Sequence, residues 1–582
     1  MNNLGSENSL SLRLAHSKAY LNEEFRSLGD FTNIEIDNKA GEEGKISVNQ
    51  WFSGRKTASL DEFVVGTVDQ ILMLALKKRH LALRHLGMSK KVVVIDEVHA
   101  YDVYMDQYLM RVLEWLGAYD VPVILMSATL PKAKRMELIK SYMSGRGVMV
   151  SKLIIDDNEH YPLITYSDGN EVKHFDKFEV LVDKKIKVKK ICDKQLVALI
   201  KEVFSEGGGV VGIVVNTVKR AQEFGRELVS NFGDECVEIL HSGFIATERI
   251  WKEKELLSTI GKKGVRPKKK IIIGTQVIEQ SLDIDFDVLI SDLAPMDFLL
   301  QRCGRLHRHN TARPKKLLNP TLYVMGCSDT LDFERGASAI YGNYLLQRTQ
   351  YFLPDNINIP TDISTLVQKV YDDKSIEIDK KFKEKFNNFE EEYRKKIKQK
   401  ERKAKQYRLS EPITAKDGRR NMNNGNLIGW LKNSIPKDTE ERAYAQVRDI
   451  DESIEVIALK RIGDGYGLMN DKINISKEID DDNIARKIAA NTLVLPKIFT
   501  GESAIDKTID QLENYNSKYL NDWRENKWLN GALGIIFEEN FDGTEKFTFN
   551  FLDKTIVYDE KYGISFKNDI KDNGKEIGNG KI

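Results

Sequence analysis

Short runs of aliphatic, mostly β-branched residues alternate with longer helix-like stretches from about residue 12 to residue 325. Continuous apolar runs of this length are typical of strands that are buried on both faces of a parallel sheet covered by helices. A polar interval at 145–190 interrupts the alternation. The pattern therefore predicts an α/β fold with two parallel-sheet lobes divided in this interval. The runs are FVVGTV (63–68), VVVID (92–96), VPVILMSAT (121–129), VVGIVVNT (210–217), CVEIL (236–240), KIIIGT (270–275), DVLISD (287–292) and TLYVMG (321–326).

The chain from Asp372 to Arg408 has a different pattern, in which apolar residues recur at helical spacing among lysines and glutamates. Nine basic residues and one acidic residue lie between Arg394 and Arg408. This distribution favours a solvated helix with an apolar seam over a nucleic-acid contact. The apolar positions are Phe382, Phe386, Phe389, Tyr393 and Ile397.

These patterns divide the chain into four predicted segments. We expect a partial first lobe at 1–150, a second lobe at 151–345, a charged helical linker at 346–424 and a small α+β accessory domain at 425–582. The last segment contains NTLVLPKIF (491–499) and FTFNFLDKTIVYDEKYGISF (547–566). The second of these runs alternates like strands joined by a turn.

Composition narrows the possible classes of protein. The net charge is +1 with 30% charged residues, so any nucleic-acid site must be local. The four cysteines have neither zinc-ligand nor disulfide-framework spacing, which favours a reduced, cytoplasmic chain. The N-terminus lacks the pattern of a signal peptide, and no run approaches the roughly 20 apolar residues of a membrane span.

The run VVVID continues into two adjacent carboxylates, Asp96 and Glu97, followed by His99. In open α/β sheets, ligands bind at the carboxyl edge where such strands end. Asp96 is suited to hold Mg²⁺ through water, because this cation keeps much of its hydration. Glu97 is suited to orient and deprotonate the water that attacks a γ-phosphate, and His99 to relay contact to a neighbouring lobe. Taken alone, these residues are equally compatible with an exposed strand end.

Three further strand ends carry polar residues in the same order along the chain. Ser127 and Thr129 end a second apolar run, where their hydroxyls can bond the acidic cluster. Arg305 and Arg308 lie three apart, which predicts a shared helical face. Arginine stabilises charge on a transferring phosphoryl group and can come from a facing domain. The remaining candidates lie at the end of the run IIIGT or shortly after it; they are Gly274, Thr275, Gln276 and Asp283.

The complete set resembles superfamily-two helicases, with DEVH, SAT, GTQVIEQSLDID and QRCGRLHR as the shared motifs. More narrowly, it resembles the CRISPR-associated helicase–nuclease of type I interference systems. The stretches that carry the narrower resemblance are VGTVDQIL, KKVVVIDEVHAYDVYM, LMSATLP, LHSGFIATER and DLAPMDFLLQRCGRLHRH, with IAANTLVLP as a weaker match.

This resemblance implies two RecA-like lobes that bind ATP and Mg²⁺ between them and step along single-stranded DNA. It also implies a guide-RNA surveillance complex as partner. The implied catalytic and nucleotide-binding residues are Asp96 (also the metal ligand), Glu97, Arg305, Arg308, His99, Ser127, Thr129, Gly274, Asp283 and Gln301. The implied DNA-binding residues are Gly66, Thr67, Asp69, Gln70, Asn216, Thr217, His241, Ser242, Thr275 and Gln276.

Two features of that family are missing from the 582 residues. No GxxxxGK[ST] phosphate loop occurs, and neither GRKTAS (54–59) nor GKKGVRPKKK (261–270) replaces it. No His-Asp dipeptide occurs either, so a metallonuclease site is not expected. We therefore expect an incomplete first lobe that lacks the strand carrying the phosphate loop and is inactive alone. The missing part, with the loop and the nuclease domain, is expected to be a separate chain, an upstream portion of the gene, or lost.

Three other interpretations stay open at this point. The chain could be a superfamily-two translocase of restriction or repair. It could also be a non-catalytic chain that only binds DNA or docks to a partner, as the absent phosphate loop suggests. Finally, residues 394–408 could form a basic DNA-binding arm, whose neutralisation would flatten the salt dependence of binding.

Overall fold

The computed structural model describes residues 12–15, 58–77, 81–153, 158–179, 183–205, 207–280, 282–372, 375–412, 453–501, 503–540 and 547–568. The chain separates into two compact units. The first falls within Met1–Lys184, Gly342–Leu353 and Asn358–Asp449, and the second within Lys185–Tyr341, Pro354–Ile357 and Ile450–Ile582. The four predicted segments stay predictions. Most of GRKTAS (54–59) and residues 413–424 of the predicted linker lie outside the described residues.

Helices and strands alternate through most of the described chain. The strands are β1 Leu12–Ala15, β2 Phe63–Gly66, β3 Val93–Ile95, β4 Val123–Leu125, β5 Ile164–Asp168, β6 Glu171–Phe175, β7 Lys184–Lys190, β8 Gly209–Val214, β9 Val237–Leu240, β10 Lys269–Gly274, β11 Val288–Asp292, β12 Thr321–Met325, β13 Asn356–Ile359, β14 Glu455–Ile462, β15 Gly465–Gly467, β16 Thr492–Val494, β17 Gly534–Glu539, β18 Phe547–Phe551, β19 Lys554–Asp559 and β20 Gly563–Asn568. The α-helices are α1 Val68–Leu72, α2 Leu81–Met88, α3 Val103–Ala118, α4 Lys132–Gly145, α5 Leu196–Ser205, α6 Val218–Phe232, α7 Ala246–Ile260, α8 Gln276–Gln280, α9 Met296–Cys303, α10 Arg335–Tyr341, α11 Asn343–Phe352, α12 Asp362–Tyr371, α13 Lys383–Tyr407, α14 Asp482–Ala490 and α15 Ile505–Tyr519.

The larger parallel sheet has the strand order β13-β7-β12-β11-β8-β10-β9. Every residue of β8, β9 and β11 is buried, as expected for continuous apolar runs covered on both faces. The strands predicted from the runs between residues 210 and 326 are confirmed. Strand β7 lies in the interval that we interpreted as a break, and was missed. Its sequence alternates lysines with Ile186 and Val188, and only the aliphatic side chains are buried.

The C-terminal sheet has the order β15-β14-β17-β18-β19-β20, and β16 pairs with β14. It is antiparallel except between β14 and β17. The predicted alternation in 547–566 is confirmed as three strands whose inward residues, such as Phe547 and Tyr558, are fully buried. In the run 491–499, only Thr492–Val494 is a strand.

The first unit contains the parallel pair β3-β4, the parallel pair β1-β2 and the hairpin β5-β6. One face of β3-β4 packs on α3, so that Val93 and Ile95 are buried. Helix α13 also packs on α3, where Ala404 is buried and its carbonyl accepts a hydrogen bond from Tyr108 at 3.3 Å. The helix predicted from Phe382 to Ile397 is therefore confirmed, and part of it is buried. Among the described helices, none combines the length and apolar character needed to cross a membrane.

Candidate nucleotide and nucleic-acid sites

The carboxyl ends of β3 and β4 bring the first group of predicted residues together. Ile95 lies opposite Leu125, so Asp96 and Ser127 project from the same edge. Glu97 has φ 54° and ψ 40°, a left-handed conformation that is uncommon for a residue with a side chain. This turn reverses the chain so that the Val98 N–H donates to the Met126 carbonyl at 3.2 Å.

His99 connects the two strand ends. Its Nδ1 lies 2.9 Å from Ser127 Oγ and 3.3 Å from Glu97 Oε2. The imidazole side chain is 2% exposed, whereas that of Glu97 is 60% exposed. A buried ring therefore links an exposed carboxylate to the hydroxyl of the neighbouring strand. The structure brings these three residues together, and their roles stay predictions.

Two further side chains near this edge carry oxygens that could contact a ligand. The Thr129 side chain is buried, and its Oγ1 has no hydrogen-bond partner there. Asp96 is exposed, and its Oδ1 accepts from the Glu97 N–H at 2.8 Å. Its carboxylate suits Mg²⁺, which is usually held by one or two carboxylates together with substrate phosphates and water. No group of three metal-ligating side chains occurs in the part of the chain that the structure describes.

The first-unit DNA candidates surround the end of β2. Gly66 ends β2 and packs closely against β1, since a Cβ there would lie 2.8 Å from the Ala15 carbonyl oxygen. Thr67 and Asp69 begin α1, and Gln70 accepts a hydrogen bond from Arg84 at 3.2 Å. The structure thus places the four positions in one strand–helix turn.

In the second unit, the residue that organises the predicted motifs is Arg302, which sequence reasoning missed. Its guanidinium is fully buried and pairs with the buried Glu279 at 2.7 Å. It also donates to Ser291 Oγ at 2.8 Å, to the Asp292 carbonyl at 3.1 Å and to Asn216 Oδ1 at 3.4 Å. These bonds tie α9 to α8, to the end of β11 and to the end of β8.

Arg305 and Arg308 follow this anchor. The prediction that they share a helical face is wrong, because α9 ends at Cys303 and His307 has φ 50°. Arg308 Nε donates to Asp283 Oδ1 at 2.5 Å, and His309 Nε2 lies 3.0 Å from the same oxygen. The hydrogen bond from Arg308 and, to a smaller extent, the one from His309 lower the pKa of the Asp283 carboxyl. Gln301 lies in the last turn of α9 and is partly buried.

The loop after α9 is held by two further buried carboxylates. Asp285 accepts from Arg313 at 2.7 Å, and Asp287 pairs with the same guanidinium. Arg266 bridges both carboxylates at 3.0 and 2.8 Å. The motif SLDIDFD therefore supplies one exposed acid, Asp283, and two buried ones that fix the loop. The alternation of acids with apolar residues in this motif is the sequence signal that could have predicted the two buried carboxylates.

The remaining second-unit candidates, predicted to contact DNA or, for Gly274, the nucleotide, are mostly buried or hydrogen-bonded. Asn216 is buried, and its side-chain amide donates to the Leu293 carbonyl at 2.9 Å. Thr217 caps α6 by accepting from the Arg220 N–H at 3.2 Å. Gly274 is buried under the Leu240 carbonyl, which a Cβ would approach to 2.1 Å. Thr275 is buried, and Gln276 donates to Tyr341 at 3.4 Å.

His241 and Ser242 lie where β9 meets the C-terminal sheet. Ser242 is exposed, but the His241 ring is fully buried. Its Nε2 lies 3.1 Å from the Tyr562 carbonyl, and its Nδ1 accepts from the Gly243 N–H at 3.1 Å. Burial lowers the pKa of His241 to about 4. A DNA contact in this segment would therefore involve Ser242 or backbone groups.

Parallel sheets with acids at the carboxyl edge of one sheet and arginines near that of another are typical of the helicase class. Comparison with known families agrees. A DEAD/DEAH box helicase profile matches residues 19–138, a CRISPR-associated nuclease/helicase Cas3 C-terminal profile matches 207–311, and a Cas3 C-terminal domain profile matches 448–564. The chain belongs to the Cas3 helicase family.

Individual relatives show how much of the family is represented. The CRISPR-associated nuclease/helicase Cas3 of Streptococcus thermophilus is 53% identical over 96% of this chain and 59% of the relative. The endonuclease/helicase Cas3 of Thermus thermophilus is 30% identical over 85% of this chain and 58% of the relative. The crystal structure of T. fusca Cas3-AMPPNP is 27% identical with a TM-score of 0.78, covering 96% of this chain and 62% of that one. The chain thus spans less than two thirds of each relative.

Proposed function

We propose that the chain is the helicase part of an ATP-dependent DNA translocase that acts in type I CRISPR interference. The observation that carries this proposal is the contact of His99 with both Glu97 and Ser127, which links an exposed carboxylate to the neighbouring strand end. Membership of the Cas3 family and the AMPPNP complex of the T. fusca relative support ATP as the nucleotide.

Each predicted residue has a role that its chemistry supports. Asp96 would hold Mg²⁺, which supplies positive charge to the phosphates. Glu97, as an exposed carboxylate, would accept the proton of the attacking water. Its buried neighbour His99 would pass the state of the site to Ser127. Arg305 and Arg308 would stabilise charge on the transferred phosphoryl group, in which case Arg308 must exchange Asp283 for phosphate.

The proposed substrate and partner follow from the family and the motifs. Single-stranded DNA would be gripped by small polar groups and backbone N–H groups at the strand ends, which hold phosphates without reading bases. A guide-RNA surveillance complex would mark the DNA that is unwound. The 582 residues contain no phosphate loop, so they alone would turn over no ATP, and the loop would have to be supplied by a separate polypeptide or by a segment encoded upstream.

The test measures ATP hydrolysis with single-stranded DNA, for the 582-residue chain alone and after addition of a polypeptide that carries the GxxxxGK[ST] loop. We expect turnover only in the second case. In that mixture, Glu97→Gln should lower turnover by about 100- to 10,000-fold while nucleotide affinity is kept. The matched control is Glu171→Gln, which removes a carboxylate whose side chain is 75% exposed. Turnover by the chain alone would refute the need for a second polypeptide, and full turnover in the Glu97 variant would refute its role as base.

The absent phosphate loop favours one alternative, a non-catalytic chain that binds DNA or docks to a partner. Nucleotide binding separates the two functions. If neither the chain nor the mixture binds ATP while the chain still binds single-stranded DNA, the non-catalytic function is correct. If the mixture binds and hydrolyses ATP, the alternative is excluded.

A further inference from the structure

Helix α7 presents an apolar and basic surface that the predicted motifs do not use. Trp251 is 61% exposed, and Ile250 and Leu257, which share an adjoining side of the helix, are 37% and 39% exposed. The chain then folds back, because the Val265 N–H donates to the Ser258 carbonyl at 3.0 Å, and Val265 is 86% exposed. We call these exposed residues, together with those of the following loop at 261–268, the α7 surface.

The exposed charges on the α7 surface are mainly positive. Four exposed lysines belong to it and have no ion-pair partner among the described residues; they are Lys254, Lys262, Lys263 and Lys268. The acids of α7 are paired or half-buried. Glu253 pairs with Arg249 at 3.5 Å, Glu248 is held by Tyr558, and Glu255, four residues after Trp251, is half-buried.

We infer that the α7 surface is a second contact for single-stranded nucleic acid, in which a base stacks on Trp251 and the lysines bind the flanking phosphates. This inference rests on the proposed function, since it extends the path of the same DNA strand. Exposed aromatic side chains combined with a positively charged track are how proteins bind single strands without sequence preference. One exposed carboxylate, that of Asp283, lies near these lysines beside the Gly261–Ile284 bridge, and it is already paired with Arg308.

A protein partner explains the α7 surface less well. Protein interfaces do use tryptophan, but their buried centres are depleted in lysine. Position also favours nucleic acid. Helix α7 begins five residues after His241, so its first turn continues from the segment of Ser242 that is predicted to contact DNA. From there the helix extends for about 22 Å, at about 1.5 Å per residue.

The test measures the affinity of the 582-residue chain for fluorescent oligothymidine by anisotropy, without nucleotide, between about 50 and 200 mM salt. We expect Trp251→Ala to weaken binding by about 5- to 100-fold, the range reported for loss of one stacked base. The Lys262→Glu/Lys263→Glu double variant should also lower the salt slope by about 1.4, since each phosphate contact on a single strand contributes about 0.7.

Matched controls come from α15, which lies outside the predicted DNA motifs. Tyr519→Ala removes an aromatic side chain that is 44% exposed, and Lys507→Glu/Lys518→Glu makes the same charge change on exposed positions. Both should leave affinity and salt slope within about twofold of the unmodified chain, as exposed substitutions distant from a site usually do. Thermal unfolding of each variant establishes that it is folded.

The outcomes separate this inference from the proposed function. If the unmodified chain does not bind single-stranded DNA, the proposed function fails. If it binds, but the Trp251 and Lys262/Lys263 variants match their controls, the α7 surface is not a nucleic-acid site. If these variants bind oligothymidine normally but lose binding to a purified guide-RNA complex, the surface contacts a partner instead and the inference is overturned.

Discussion

Strand β8 in the second unit is buried at every position, whereas β3 and β4 in the first unit leave side chains exposed on one face. Val94 and Ile124 are 56% and 50% exposed. Both regions hold predicted motif residues at carboxyl ends of strands. In the second unit these residues are fixed by buried ion pairs, such as Arg302 with Glu279. In the first unit the contacts of Glu97 lie at the surface. Similar motif positions therefore differ in how firmly the surrounding fold holds them.

The largest expected effect is the loss of the buried ion pair of the second unit. Glu279→Gln keeps the shape of the side chain but leaves the fully buried Arg302 without its counter-charge. We expect a loss of about 3–5 kcal/mol in the free energy of unfolding of this unit. Denaturant unfolding followed by fluorescence measures it. A loss below about 1 kcal/mol, typical of exposed pairs, would show that the pair does not fix the motifs.

The next prediction compares the two sheets with one substitution. Val211→Thr places a hydroxyl at a fully buried position of β8, while Val94→Thr places it on the exposed face of β3. Because a buried hydroxyl without a partner is costly, we expect Val211→Thr to destabilise the protein by about 1–3 kcal/mol. Val94→Thr should stay within about 0.5 kcal/mol. Equal costs in thermal unfolding would mean that the face of β3 is covered in solution.

The buried acids of the first unit predict a pH dependence. Burial raises the pKa of Glu114 to about 7, against the opposing effect of Arg111, and burial likewise raises the pKa of Asp106 to about 6. A raised folded-state pKa means that the folded protein binds the proton more tightly. The stability contribution is therefore full below the unfolded-state pKa and is lost as the pH rises through the folded-state value.

We accordingly expect the first unit to lose stability between about pH 4.5 and pH 7.5, on the order of 1–3 kcal/mol for each of the two carboxyls at about 1.36 kcal/mol per pKa unit. Unfolding midpoints measured across this range test it. Glu114→Gln should flatten the dependence, and Asp283→Asn in the second unit should not. A wild-type profile that rises over the same interval would contradict the assignment.

The smallest expected effect on stability is at Arg308. Its pair with Asp283 is exposed on both sides, at 40% and 50%. Arg308→Ala should therefore change the free energy of unfolding by less than about 1 kcal/mol. If Arg308 acts on the nucleotide as proposed, ATP turnover of the completed assembly should nevertheless fall by about 1,000-fold or more. Unchanged turnover would leave Arg308 with only its surface ion pair.

How well the sequence predicted each element depended on burial. Strands β8 to β12 were predicted because burial on both faces leaves a continuous apolar run. Strand β7 was missed because lysines occupy its outward positions. The hairpin β5-β6 was missed for a related reason, since its residues alternate between exposed and half-buried and form no apolar run.

The site shows the same dependence on tertiary partners. The position of Asp96, Glu97 and Ser127 at one edge followed from strand ends alone. Arg302 could not be distinguished from its neighbouring arginines by spacing, because its burial depends on Glu279, 23 residues away along the chain. The prediction that Arg305 and Arg308 share a helical face was wrong, because the helix ends at Cys303 with Gly304 as its C-cap.

The buried ring of His241 has a practical consequence for protein engineering. The hairpin β19-β20 covers it, the Ile564 N–H donates to the Gly243 carbonyl at 2.8 Å, and the Gln222 amide donates to the Tyr562 and Ile564 carbonyls at 2.7 and 2.8 Å. A shortened protein that ends before residue 547 would lose these carbonyl acceptors, and the His241 imidazole would be exposed to solvent. The minimal crystallisable fragment of the larger parallel sheet must therefore extend through β20.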